Sequence, residues 1–132
     1  MRDLVIQPCS LDGGFVHSGM RDQANEVIVL LKPQIDNLLI HYPDYSIVFT
    51  GHSLGAGAAS IATLVLQSVY PSVHAYCYVC PSCVSPSLLP RLSNNIVSVV
   101  NMHDLVPRMN SSSMHAIHDT FENVDWREVF DV

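Results

Sequence analysis

Positive charge is scarce in this chain. Lys and Arg total 6 against 12 Asp and Glu, giving a net charge of −6 over 132 residues. No basic stripe is present to meet a row of phosphates, so nucleic acid is not an expected partner. Long apolar runs are also missing. Stretches such as 27–31 fall far short of the roughly 20 residues that cross a bilayer. Met1-Arg2-Asp3-Leu4-Val5 lacks the apolar core of a signal peptide, and on that ground a cytoplasmic protein is expected. There is no internal repeat and no low-complexity block. The length allows one domain, spanning 1–132, and at 48% hydrophobic residues that domain can bury a real core.

Cysteine is sparse but clustered. Of four, Cys77, Cys80 and Cys83 form C-x-x-C-x-x-C, and Cys9 lies far away in sequence. Such spacing has a metal or redox reading and a plainer one, thiols packed at the end of a strand. Residues 73–79 look like a strand, so Cys77 is expected in the core. A four-thiolate site would need the distant Cys9. No metal and no cofactor is therefore expected.

What the chain does have is Gly51-His52-Ser53-Leu54-Gly55, a G-x-S-x-G. It follows the apolar run 45–50 and opens into Ala56-Gly57-Ala58-Ala59-Ser60-Ile61-Ala62, which reads as the start of a helix over 54–70. Strand, sharp turn and helix are the setting of a nucleophilic serine. The strand fixes the position, the turn presents the hydroxyl, and the helix N-terminus offers backbone N–H groups to a developing oxyanion. Side chains at 51 or 55 are expected to collide with neighbouring backbone. The small residues on the first turns of the helix would let it pack close to a sheet.

The other elements fall on either side. Residues 1–17 read as irregular, with turns at Pro8 and Asp12-Gly13-Gly14. Met20, Ala24, Val27, Ile28, Leu31, Ile35, Leu38 and Leu39 recur at steps of three and four, an apolar stripe of a long helix. Ser18 is its candidate N-cap, Pro33 should kink it, and His41-Tyr42-Pro43-Asp44 should end it. The run 45–50 is too uniformly apolar for a half-exposed strand and suits one covered on both faces. Strands at 73–79 and 96–101 follow, with a short helix near 87–92 between them. This alternation predicts an α/β fold with a parallel sheet. A short terminal helix is expected, with Asp119-Thr120-Phe121-Glu122 as its cap.

In a parallel sheet, functional groups collect beyond the carboxyl ends of the strands. Ser53 follows the first strand of the set and Asp104 the third, so both belong at one edge. Asp104 is the candidate carboxylate that orients a histidine. Asp119, Asp125 and Asp131 sit in an acidic tail and are poorer candidates. Hydrolases of this type order their triad Ser, Asp, His, which leaves His115 and His118, 11 and 14 residues beyond Asp104. His118 is the better of the two. His52 should diverge from Ser53 at a tight turn, and His17, His41, His74 and His103 precede Asp104. A base outside this chain remains an open alternative.

The motifs resemble those of the class 3 lipases, the fungal-lipase-like branch of the α/β-hydrolase fold. Val16-His17-Ser18-Gly19-Met20 resembles the family's V-H-x-G-[FM]. Residues 42–56 resemble its strand and nucleophile elbow. Asp104-Leu105-Val106-Pro107-Arg108 resembles its D-x-V-P-R, which carries the triad aspartate. Ala56-Gly57-Ala58-Ala59 and Tyr76-Cys77-Tyr78 are most similar to the sn-1-specific diacylglycerol lipases. The resemblance implies ester hydrolysis on an acylglycerol-type lipid, with an acyl-enzyme on Ser53, Asp104 holding the histidine and the N–H of Leu54 as one oxyanion donor. The expected partner is thus a lipid ester, and contact with a membrane surface is compatible with it. The family's R-G-[ST] segment would precede Arg2-Asp3-Leu4, and its histidine usually lies several tens of residues past D-x-V-P-R, whereas 24 residues follow Arg108. A lipase domain cut at both ends, weakly active or inactive as it stands, is therefore expected. The alternative is a catalytically incomplete lipase-like protein that serves as a lipid-binding or interaction module.

Overall fold

The computed structural model describes residues 7–124. The sequence readings made on Arg2-Asp3-Leu4, Asp125 and Asp131 lie outside the described residues. The chain opens with a hairpin of β1 (Pro8–Leu11) and β2 (Gly14–His17), paired antiparallel with Leu11 opposite Gly14. Asp12 and Gly13 form the connection, at φ of 45° and 85°. Two left-handed residues in a two-residue loop match the right-handed twist of the flanking strands. The expectation of an irregular 1–17 was therefore wrong for this part. The turn was legible, but four-residue strands are too short to display alternation.

Helix α1 spans Ser18–His41. Its N-cap is His17, whose Nδ1 accepts the Met20 N–H at 3.4 Å, and Ser18 is already helical. The imidazole nitrogen does the work assigned to the Ser18 hydroxyl. Pro33 has no N–H to offer, yet the helix continues past it to His41. Of the apolar stripe, only Met20 and Ala24 are buried, with Ile28 packed against the core. The first turns of α1 dock on the domain, and Leu38 near the far end is 54% exposed.

The central sheet is β3 (Val48–His52), β4 (His74–Tyr78) and β5 (Ile96–Val99), in that order and all parallel. Helix α2 (Leu54–Leu66) connects β3 to β4. Ala56 and Ala59 of α2 meet Ala75 and Cys77 of β4 in one buried cluster. Small side chains at these positions bring the helix axis close to the sheet, as the sequence suggested. A larger cluster joins Val16, Met20, Ala24, Ile61, Ala62 and Leu64 with residues of the following loop. That loop contains a 3-10 turn (Pro86–Leu88) and α3 (Leu89–Leu92).

The strand read as covered on both faces is covered on one. Phe49 packs against the core, whereas Val48 is 52% exposed. Tyr76, Tyr78, Val97 and Val99 share the open side with it through the strand register. α2 packs on the other face, with α1 packed against α2, and among the described residues nothing covers this one.

A 3-10 turn (Val106–Arg108) follows β5, and α4 (Ser111–Asn123) ends the described chain. Its cap is Asn110, which accepts from the Ser113 N–H while the Ser113 hydroxyl accepts the Asn110 N–H, both at 2.9 Å. Asp119 to Glu122 lie within the helix and do not cap it. The capping box is the Asn-x-x-Ser pair at its start. Among the described residues, no helix is long and apolar enough to cross a membrane.

One polar tie joins α1 to the turn that follows α2. The Tyr70 hydroxyl donates to Asp36, and Lys32 Nζ reaches the other Asp36 oxygen at 2.6 Å. The hydrogen bond from Lys32 and then that from Tyr70 hold the Asp36 carboxyl below its ordinary range. A depressed carboxyl favours the fold above its unfolded pKa, near 4, and loses that effect as pH falls through the folded value. Asp36→Asn should therefore lower the melting temperature slightly at pH 7, with the gap to wild type closing as pH approaches 2. Thermal melts followed by circular dichroism across that range check it.

Candidate active site

Ser53 sits between β3 and α2 at φ 53°, ψ −120°. Left-handed φ is uncommon outside glycine, and a non-glycine residue there costs of order 1–3 kcal/mol unless its surroundings enforce it. They do so here. The Ser53 N–H donates to Tyr78 O at 3.0 Å, which ties the turn to the end of β4. The Ser53 carbonyl accepts from Ala56 N at 3.0 Å and Gly57 N at 3.2 Å, which starts the helix. Neither anchor was named from sequence, because the Tyr78 contact crosses from one strand to the next.

The two motif glycines play different parts. A Cβ on Gly51 would lie 2.3 Å from the Gly55 carbonyl oxygen and 2.7 Å from Ala56 N, so the turn cannot form with any side chain there. A Cβ on Gly55 would meet nothing within 4 Å. The expected collision at 55 is thus corrected: this residue lies in the first helical turn and its missing side chain would point into open space.

Leu54 and Gly55 are the first helical residues, so their N–H groups have no acceptor one turn earlier. Among the described residues they have no other acceptor. The Leu54 N–H, which the sequence suggested as an oxyanion donor, is thus open. The Ser53 side chain is half-buried, and its hydroxyl makes no hydrogen bond with any described residue.

Asp104 lies past the end of β5, two strands from β3, which is about 10 Å across the sheet edge at the usual strand spacing. Its carboxylate is half-buried, and Oδ1 accepts the Val106 N–H at 3.0 Å. The second oxygen has no partner among the described residues. Arg108 braces this loop, donating to the carbonyl of Asp104 and, at 3.1 Å, to that of Met102. Met102 is itself left-handed at φ 44°. Arg108 entered the sequence reading only as a letter of D-x-V-P-R, and its bonds to two backbone carbonyls brace the loop that carries Asp104.

No imidazole hydrogen-bonds Ser53 or the Asp104 carboxylate among the described residues. His118 is on α4, its side chain 65% exposed, with Nε2 3.4 Å from Glu122 and Nδ1 3.7 Å from Asp119. His115 is exposed on the same helix, as are His52 at the end of β3 and His103 in its loop. His17 caps α1, while His41 and His74 bond backbone carbonyls of Asn37 and Ser72. No group of three or more metal-ligating side chains among the described residues is arranged to hold an ion.

A parallel sheet with a left-handed serine leading into a close-packed helix is the core of an α/β-hydrolase, here a partial one. The comparisons with known proteins agree. The sequence model of the family Lipase (class 3) matches residues 3–114, and the chain belongs to that family. Mouse diacylglycerol lipase-beta is 38% identical over 73 residues, 54% of this chain and 11% of the relative. The secreted mono- and diacylglycerol lipase A of Penicillium cyclopium is 30% identical over 88 residues, 64% of this chain and 29% of the relative. A solved triacylglycerol lipase, whose catalytic centre is described as a serine protease triad, superposes with a TM-score of 0.74 at 26% identity. That match covers 85% of this chain and 46% of the other. The chain thus spans less than half the length of each protein it matches here.

The two glycines supply a direct check of the turn. Gly51→Ala should destabilise the fold by about 3 kcal/mol or more, since the clash is with backbone. Gly55→Ala should be neutral or stabilising by up to about 1 kcal/mol, as an added helix former. Denaturant unfolding of the two variants measures both.

Proposed function

We propose that this chain carries the nucleophile and acid of a serine lipase that hydrolyses the carboxylic esters of acylglycerol-type lipids. The observation that carries this reading is the strained Ser53 turn with the free Leu54 N–H beside it. Ser53 Oγ attacks the ester carbonyl, and the oxygen of the tetrahedral intermediate takes the Leu54 N–H. The alcohol leaves, giving an acyl-enzyme that water hydrolyses. The proton moves through an imidazole held between Ser53 and the free oxygen of Asp104. An acylglycerol is favoured as substrate because the matched relatives are named as mono-, di- and triacylglycerol lipases. A diacylglycerol lipase-like preference rests on the mouse relative, and contact with a lipid surface follows from the substrate class.

A second reading is favoured by one observation, the absence of any imidazole bonded to Ser53 among the described residues. On it, the chain is a lipase-like module that binds lipid or protein without turnover. His118 serves the first reading only if α4 moves, because its ring now faces Glu122 on its own helix. Without an imidazole on Ser53, only residual catalysis is left.

The 132-residue chain is expected to turn over a short-chain nitrophenyl ester weakly or not at all, and His118→Ala should change that rate less than about twofold. In the native protein, a fluorophosphonate probe should label Ser53, and Ser53→Ala should abolish the labelling. Asp104→Asn should lower kcat by about 10⁴-fold there. Absence of labelling in the native protein would favour the binding module.

A further inference from the structure

The hydrolase reading leaves the C-x-x-C-x-x-C run without a role, and the fold separates its three thiols. Cys77 lies within β4 and is fully buried. Its thiol donates to Ala56 O at 3.4 Å and lies 3.2 Å from Ser60 Oγ. A hydrogen bond with Cys80, and then burial, push this thiol far above its ordinary value, so it is a packing group and a poor nucleophile. Cys80 and Cys83 are placed differently. They stand at the two ends of Cys80-Pro81-Ser82-Cys83, just past the strand, with their sulfurs 3.9 Å apart. All three line a cavity of about 880 Å³, with Cys80 half-buried and Cys77 and Cys83 buried.

The two thiols also differ in acidity. A hydrogen bond from Cys80 lowers the Cys83 thiol, against the opposing effect of burial. Cys80 carries a lowering bond from Cys77, but its bond to Cys83 and its burial push it up to about 11. The direction of these shifts favours Cys83 over Cys80 as the sulfur that gives up its proton first.

We propose that Cys80 and Cys83 form an oxidisable dithiol site that takes hydrogen peroxide, or a similar small peroxide, from the cavity and closes to an intrachain disulfide. The Cys83 thiolate attacks one peroxide oxygen. The O–O bond breaks, and the departing hydroxide takes a proton to leave as water. The resulting Cys83 sulfenic acid is attacked by the Cys80 sulfur, the S–S bond forms, and a second water leaves. Two thiols lose two electrons and two protons, and one peroxide becomes two waters. Cys77 is set apart by its place inside β4 and by the 3.4 Å bond of its thiol to Ala56 O, whereas Ser60 Oγ contacts both Cys77 and Cys80. Cys9, bonded to Val16 O in the hairpin, belongs to another part of the fold.

Closure has a consequence for the serine. The sulfurs must approach from 3.9 Å to about 2.05 Å. The residue before Cys80 is Val79, left-handed at φ 54°, where a β-branched side chain is a genuine outlier. The residue before that is Tyr78, whose carbonyl holds the Ser53 N–H. Pairing of Cys80 therefore pulls on the strand end that anchors the elbow. This consequence rests on Ser53 being the nucleophile, whereas the dithiol site does not.

The test uses the reduced 132-residue chain treated with one equivalent of hydrogen peroxide. Free thiols are then alkylated in denaturant, and the protein is reduced and alkylated with a second reagent. The expected result is an intact mass lower by two hydrogens before reduction, with the second label on Cys80 and Cys83. Cys77→Ser should keep this result. Cys80→Ser and Cys83→Ser should each abolish it, and Cys80→Ser, at the half-buried position, decides the matter if Cys83→Ser fails to fold. A second label on Cys9 or Cys77, or added oxygens without the loss of two hydrogens, would overturn the site. In the native protein, fluorophosphonate labelling of Ser53 should differ at least about threefold between reduced and oxidised forms, and Cys80→Ser should remove the difference. Equal rates in the two forms would overturn the link to the elbow while leaving the disulfide result standing.

Discussion

One backbone conformation organises this molecule: a non-glycine residue held at φ 53° between β3 and α2. It is unfavourable alone, and three hydrogen bonds maintain it, one to the carbonyl of Tyr78 and two from the helix that follows. The turn is so tight that Gly51 has no room for a Cβ. A strained position enforced from several sides is typical of a site where geometry matters more than stability. The reward is a hydroxyl at the sheet edge, beside the open N–H of a helix start. The small residues of α2 serve the same end, since Ala56 and Ala59 can meet Ala75 and Cys77 only if the helix lies close to the sheet.

The parallel sheet then supplies the second group. With β3, β4 and β5 running the same way, whatever follows β3 and β5 must emerge at a common edge, with the end of β4 between them. Ser53 and Asp104 arrive there from 51 positions apart in sequence. Asp104 is kept in place by its own Asx turn to Val106 and by the Arg108 clamp, and its remaining oxygen is left for a donor. The seven histidines of the chain are all described, and each is exposed or committed to backbone or to its own helix.

Much of this was legible beforehand, for identifiable reasons. The G-x-S-x-G after an apolar run locates the elbow because the motif and its flanks obey the same steric demand. The parallel sense of the three core strands, and the emergence of Ser53 and Asp104 at one sheet edge, follow from alternation of strand and helix. What escaped was local or depended on neighbours. The hairpin at 8–17 was too short to show a period, although Asp12-Gly13 carried its turn. The caps of α1 and α4 were misplaced because His17 and Asn110 compete with nearby Ser18 and Asp119 for a role that only the chain path decides. Gly55 was credited with a clash because motif letters do not reveal which way an absent Cβ would point. The exposed face of β3 was missed because an apolar strand reads as buried whether or not its covering lies within the chain at hand. The histidine stayed open in both views: order along the chain favoured His118, and the fold leaves its ring turned toward Glu122.

The most direct measurement is a crystal structure of the native protein after reaction with a dialkyl fluorophosphate inhibitor, from which Ser53 Oγ displaces fluoride. The account predicts phosphorus bonded to Ser53 Oγ, with a phosphoryl oxygen about 2.7–3.1 Å from the Leu54 nitrogen and the Asp104 carboxylate facing the same crevice. Phosphorus on another residue, or an adduct whose oxygen points away from Leu54, would contradict it.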